Sequence, residues 1–168
     1  MDTINSGTFS LELNHQSYKI LNTKKETLPN AVSETDNYIL KIMKKIINSS
    51  KAPAPIGPYN HSVMVGDLLF ISGQIPFDQA TETLVTTGIQ DETKQVMQNL
   101  QYIIEEAGLT FENVVKATIF IRNMDHFSLI NEIYGSYFSA ETAPARECVQ
   151  VEKLPRNVNI EISMILHK

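Results

Sequence analysis

The chain holds three arginines, Arg122, Arg146 and Arg156, and one of them stands in a setting suited to chemistry. Arg146 follows Pro144-Ala145 and enters an apolar alternating run, whereas Arg122 closes a strand-like run and Arg156 sits in a turn, both read as solvated. A guanidinium is planar, permanently charged and able to grip a carboxylate through two parallel hydrogen bonds, so a half-buried Arg146 is a candidate anchor for a small acid. Glu161 lies in the next alternating run and puts a carboxylate on the neighbouring strand. The competing reading is a structural ion pair of Arg146 with Glu161 or another acid, because buried charges are normally paired.

Four further polar or thiol side chains need an account. Tyr59 ends a proline-rich loop, 52–59, and offers a hydroxyl or a ring face unless it serves only to pack the loop. Ser72 directly follows a buried run; without the glycine spacing of a nucleophile elbow or a placed histidine, it reads as a hydrogen-bond donor to ligand or backbone. Cys148, two residues beyond Arg146, shares its face on a regular strand, but no activating base accompanies it and a small buried hydrophobe is the plainer reading. Asn131 is the polar member of an apolar helical stripe and needs partners if buried. Metal and cofactor chemistry is not expected: His15, His61, His126 and His167 lack ligand spacing, one cysteine cannot form a thiolate cluster, and no phosphate-cradling glycine motif or dinucleotide fingerprint occurs.

The hydrophobic periods locate the elements that must hold these groups. Residues 148–151 and 159–165 alternate as half-buried strands do, with turn chemistry at Pro155-Arg156-Asn157, so Arg146 and Glu161 are expected on neighbouring antiparallel strands. Residues 46–47 read as a short strand, 63–65 and 68–71 as a hairpin about Gly66-Asp67, and 114–121 as a β-branched strand. The clearest helix, 89–107, repeats apolar residues at three- and four-residue steps, with Asp91 and Glu92 at its start and Gly108 at its stop. Asp125 is a candidate N-cap for a second helix carrying Phe127, Ile130, Asn131, Tyr134 and Phe138 on one stripe. The order β, ββ, α, β, α, ββ indicates an α+β layer architecture.

Pro144-Ala145-Arg146, Cys148-Val149, Leu154-Pro155 and Ile160-Glu161-Ile162 together resemble the signature of the Rid family, the reactive intermediate deaminases once called the YjgF group. In register with it, residues 54–59 resemble the family's N-terminal loop, 71–76 its central strand and turn, and 125–134 its second helix, so the likeness covers 43–168. The resemblance implies a chorismate-mutase-like α+β fold, with a mixed or antiparallel sheet and both helices on one face, assembled as a homotrimer with ligand clefts between subunits. It implies hydrolytic deamination, without a cofactor, of 2-enamine and 2-imine acids such as 2-aminoacrylate and 2-iminopropanoate to 2-keto acids and ammonia. In that reading Arg146 clamps the carboxylate, Glu161 positions water, and Tyr59, Ser72, Asn131 and Cys148 shape the cleft. Two positions depart from the family pattern: Glu147, where a small residue is usual, and Glu152, where a small or basic one is usual. Glu147 faces away from Arg146 on a regular strand and would meet it on a bulged one.

At 168 residues the chain is one domain by length, able to bury a core without metals or disulfides. A net charge of −5 and a pI near 5.3 argue against a nucleic-acid or anionic-membrane surface, and no apolar run reaches bilayer length. The single cysteine suits a reducing compartment, and a cytoplasmic location is expected. Residues 1–42 hold no sustained period and resemble neither a secretory signal nor a transit peptide; they are read as an N-terminal extension, disordered or accessory, ahead of a domain over 43–168. Two other functions stay open. One is a non-catalytic sensor of a 2-keto acid or similar metabolite that regulates a partner; the other, a ribonuclease or translation inhibitor, is also attached to the family and is disfavoured by the acidic balance.

Overall fold

A computed structural model describes residues 43–168, and the expectation for residues 1–42 falls outside them. Strand β1 (Lys45–Ile47) pairs antiparallel with β2 (Ser62–Val65), and β2 turns through Gly66-Asp67 into β3 (Leu68–Gln74). Gly66 supplies the positive φ, 61°, that a two-residue hairpin turn requires. A small separate hairpin follows, β4 (Phe77–Asp78) with β5 (Thr83–Leu84), and then helix α1 (Ile89–Glu106). The β-branched strand is β6 (Val114–Ile121); helix α2 (Phe127–Gly135), strand β7 (Ala145–Gln150) and strand β8 (Ile160–His167) complete the fold.

The main sheet runs β1-β2-β3-β8-β6-β7, antiparallel except for the parallel β6–β7 pair. This corrects the expected hairpin of β7 with β8, because β6 lies between them. The Val151 N–H bonds the Ile121 carbonyl at 2.8 Å, and the Arg122 N–H bonds the Asn159 carbonyl at 3.0 Å, so the connection steps across the end of β6. The turn at Pro155–Asn157 is a local 3-10 turn that leaves the pairing partner of each strand undetermined.

Alternation gives the sheet two unlike faces. Leu69, Ile71, Ala117, Ile119, Ile121, Ile160, Ile162, Met164 and Leu166 bury under Val96, Met97, Leu100, Ile103 and Ile104 of α1 and Ile130 and Tyr134 of α2. Each large side chain removed from water there contributes about 1.5–3 kcal/mol. The opposite face stays uncovered in the single chain, with Leu68, Phe70, Val115 and Val149 all exposed.

Polar groups tie the layers. Glu92 stands in the first turn of α1 as expected and is also buried, its carboxylate accepting from the Asn159 N–H at 3.0 Å and Asn159 Nδ2 at 2.7 Å. Asn99 Nδ2 donates to the carbonyls of Ile75 (3.0 Å) and Phe77 (2.9 Å), holding the loop after β3 against α1. The cap near α2 is Asn123, whose Oδ1 accepts from the Asp125 N–H at 2.9 Å; a 3-10 turn at Met124–His126 separates it from the helix, so Asp125 is not the cap. Gly108, with φ 73°, ends α1 as expected. Among the described residues, no helix is long and apolar enough to cross a membrane.

Candidate active site

Four residues of β3, Ile71 to Gln74, lie against three of β8, Met164 to Ile162, which bulges β3 at Ser72-Gly73. Glu161 leans its carboxylate into that bulge. A Cβ at Gly73 would fall 2.8 Å from the Glu161 carboxyl carbon, so the carboxylate keeps this position only beside a glycine. Half-burial pushes the Glu161 carboxyl above its ordinary range.

Hydrogen bonds fasten the proline-rich loop beside it. Ser72 donates its N–H to the His61 carbonyl at 2.9 Å and its hydroxyl to the Asn60 carbonyl at 2.8 Å, so its donor role is met by backbone. His61 is buried; its Nδ1 accepts from the Ser49 N–H at 3.1 Å, which places the ring proton on Nε2, facing the Pro53 carbonyl at 2.6 Å. The Tyr59 hydroxyl accepts from the Ile56 N–H at 3.3 Å while its ring stays exposed. These groups enclose a cavity of about 690 Å³ whose lining includes Tyr59, Ser72, Gly73, Phe77, Arg156 and Glu161.

Arg146 stands elsewhere. Its Nη1 donates to Asn131 Oδ1 at 2.6 Å, and its guanidinium carbon lies 5.0 Å from the Tyr134 ring centre and 5.6 Å from that of Phe127. Asn131 is exposed on α2, which corrects the reading of it as a buried polar group needing satisfaction. No carboxylate pairs with Arg146 among the described residues, where the ion pairs are Lys94–Asp91 and Lys116–Glu147. The structural Arg146–Glu161 ion pair is therefore not formed, and most of the guanidinium fork is open to an acid.

The strand around Arg146 is regular. Glu147 points the other way, where Lys116 and the Thr118 hydroxyl (2.6 Å) hold its carboxyl below the ordinary range. Cys148 shares the face of Arg146; burial pushes its thiol up, partly offset by the Arg146 charge, so it is held as a thiol. The Tyr134 hydroxyl is buried without a partner and is pushed up to about 12 by that burial.

Register decides how the two groups relate. Arg146 sits opposite Ala117, a fully buried residue of the helix-covered face, whereas Glu161 sits opposite Phe120, which alternates onto the uncovered face. The structure thus gathers Tyr59, Ser72 and Glu161 around the cavity, and Arg146, Asn131 and Cys148 beside α2, on opposite faces of one sheet. Four contributors escaped the residue-by-residue reading: Gly73, Phe127, Tyr134 and Arg156. A glycine inside a strand run after Ser72 was a legible bulge signal. Arg156, exposed as its solvated reading expects, also lines the cavity, with its guanidinium carbon 4.8 Å from the Phe77 ring centre.

The family described as Endoribonuclease L-PSP matches residues 49–168. The chain belongs to that family, the Rid group its motifs resemble. A mouse relative named 2-iminobutanoate/2-iminopropanoate deaminase is 44% identical over 124 residues, 74% of this chain and 91% of the relative. The crystal structure of a protein of the conserved Rid family, YyfA from Yersinia pestis, superposes with a TM-score of 0.73 at 38% identity, covering 75% of this chain and all of that one. That of E. coli TdcF with bound serine superposes with a TM-score of 0.69 at 38% identity, covering 74% of this chain and 98% of the other. With these likenesses the mixed α+β architecture, two helices on a mostly antiparallel sheet, is the family's own.

Proposed function

We propose that the chain hydrolyses 2-imine acids and their enamine tautomers to 2-keto acids and ammonia, in clefts that copies of the chain build together as a cyclic homotrimer in the cytoplasm. The observation that carries this reading is the placement of an open Arg146 fork and a half-buried Glu161 on opposite faces of one sheet. Strand β7 is an edge strand, so Arg146 stands at a margin a neighbour can reach, while Glu161 belongs to an apolar face that a neighbour would cover. The Arg146 side of one copy and the Glu161 cavity of the next then make one complete site. The name of the mouse relative supports the substrate class, and the serine bound to TdcF supports a small amino-acid-like ligand.

The chemistry follows from the parts. Arg146, steadied by Asn131 and the Tyr134 ring, clamps the substrate carboxylate and so sets the imine carbon beside a water held by Glu161. As the water oxygen bonds that carbon, Glu161 accepts its proton and returns it to the nitrogen, leaving a tetrahedral carbinolamine. Glu161 then carries the hydroxyl proton to the nitrogen as the carbon–nitrogen bond breaks, releasing ammonia and the keto acid. Burial brings the Glu161 carboxyl closer to the pH at which one group can do both transfers.

The test is keto-acid release from 2-aminoacrylate generated in place by a serine dehydratase. Wild type is expected to accelerate release, and Arg146→Ala to lose about a hundredfold or more of that acceleration. Folded wild type that leaves the rate unchanged, yet binds 2-oxobutanoate, would replace this reading with a metabolite sensor.

A further inference from the structure

We propose that Arg156 makes the Glu161 cavity a receptor for a second anionic group, so that the chain acts on 2-imino dicarboxylates, whose side chain ends in a carboxylate. This rests on the imine-hydrolase reading above and adds the substrate class to it.

Arg156 is the cation of the cavity. Besides Arg156, the acids Glu82 and Glu161 line it, and Arg146 does not. Arg156 is exposed, and its guanidinium carbon lies 4.8 Å from the Phe77 ring centre, a cation–π distance. No acid pairs with it among the described residues, whose ion pairs are Lys94–Asp91 and Lys116–Glu147.

The backbone here is unusual as well. Arg156 has φ 54° and ψ 18°, and the next residue, Asn157, has φ 59°. Asparagine tolerates that left-handed region, but arginine seldom enters it, and a residue held there belongs with over-determined, functional geometry. The turn thereby delivers an arginine to the cavity edge where glycine would be the unstrained choice.

In the single chain the open half-site measures about 690 Å³, and the charges on its wall decide where an anionic tail can go. An anionic tail entering a wall that carries Glu82 and Glu161 is repelled by both acids and attracted by Arg156. One landing point therefore remains, and the tail is held by it. The first carboxylate goes to Arg146 of the neighbouring copy, and the imine carbon comes to rest between the two arginines, beside Glu161.

The experiment compares 2-oxoglutarate with 2-oxopentanoate, the same chain length without the second carboxylate, by calorimetric binding to the full-length protein. Wild type is expected to bind 2-oxoglutarate about tenfold more tightly, one charge-assisted bidentate contact's worth. Arg156→Met, which keeps the length and the contact with Phe77, should erase that margin and leave 2-oxopentanoate within about twofold. Arg156→Gly relieves the backbone and should give the same loss, separating charge from strain. Equal binding of the two acids by wild type, a margin that survives in Arg156→Met, or a preference for a keto acid with a cationic tail overturns the proposal. A kinetic arm uses the imines of glutamate and norvaline made in place by an amino-acid oxidase. If neither imine is accelerated while the Arg156-dependent margin in binding persists, the hydrolase reading fails and the second-anion subsite stands. If both are accelerated equally and Arg156→Met changes neither, the subsite fails and the hydrolase reading stands.

Discussion

Gly73 and Glu161 share one small space. The carboxylate of Glu161 occupies the position into which any side chain at residue 73 would project, 2.8 Å from the carboxyl carbon at the Cβ alone. The bulge in β3 opens that space, and the absence of a side chain keeps it open.

A methyl group at residue 73 should therefore evict the carboxylate without unfolding the sheet, because Glu161 can swing toward the cavity. Gly73→Ala is expected to keep a cooperative melt and lose about a hundredfold in kcat, the usual penalty for a displaced reacting group. Steady-state assay with thermal melting checks both halves. Unchanged kcat would mean that Glu161 does not act from this position.

Opposite-face placement of Arg146 and Glu161 predicts complementation. Arg146→Ala and Glu161→Gln should each be inactive, yet trimers assembled from an equal mixture contain sites that take Arg146 from one variant and Glu161 from the other. Each mixed trimer holds one intact site of its three, so it should show about a third of wild-type activity. Co-expression with differently tagged chains and assay of the doubly purified protein reads this directly; no recovery in mixed trimers would place both groups in one chain's site.

Burial of Glu161 predicts a pH-dependent stability. Its folded carboxyl titrates above the ordinary value of 4.5, so between that value and the raised one the folded chain binds more protons than the unfolded chain. Stability attributable to this group therefore falls as pH rises through that window and stays lowered above it. Glu161→Gln is expected to melt higher than wild type at pH 7, with the gap closing below about pH 4. A lower melting temperature at pH 7 would show that the charged form is stabilised by partners absent from the single chain.

Asn99 is the strap that holds one wall of the cavity. Asn99→Ala leaves the Ile75 and Phe77 carbonyls without their donor and should cost about 2–4 kcal/mol, read from urea denaturation. The same variant should raise KM more than it lowers kcat, since Ile75 and Phe77 line the cavity.

Much of this molecule is legible in its residues one stretch at a time. The apolar steps of residues 89–107 determine a helix, the Gly66-Asp67 pair determines a hairpin, and the spacing of Arg146 and Cys148 puts both on one face, because each signal is local and depends on backbone period alone. Family membership is equally legible, since the Pro144-Ala145-Arg146 and Ile160-Glu161-Ile162 segments stand in the chain as written. The relation between Arg146 and Glu161 is not. Whether β7 pairs with β8 or with β6 depends on which apolar edges satisfy one another across the finished sheet, and the turn at Pro155–Asn157 serves either arrangement. Alternation tells which residues of one strand share a face, but which face that is relative to another strand is decided by register. Here that register runs through β6, setting Arg146 against Ala117 and Glu161 against Phe120. Only the tertiary structure could put the two charges on opposite faces of the sheet.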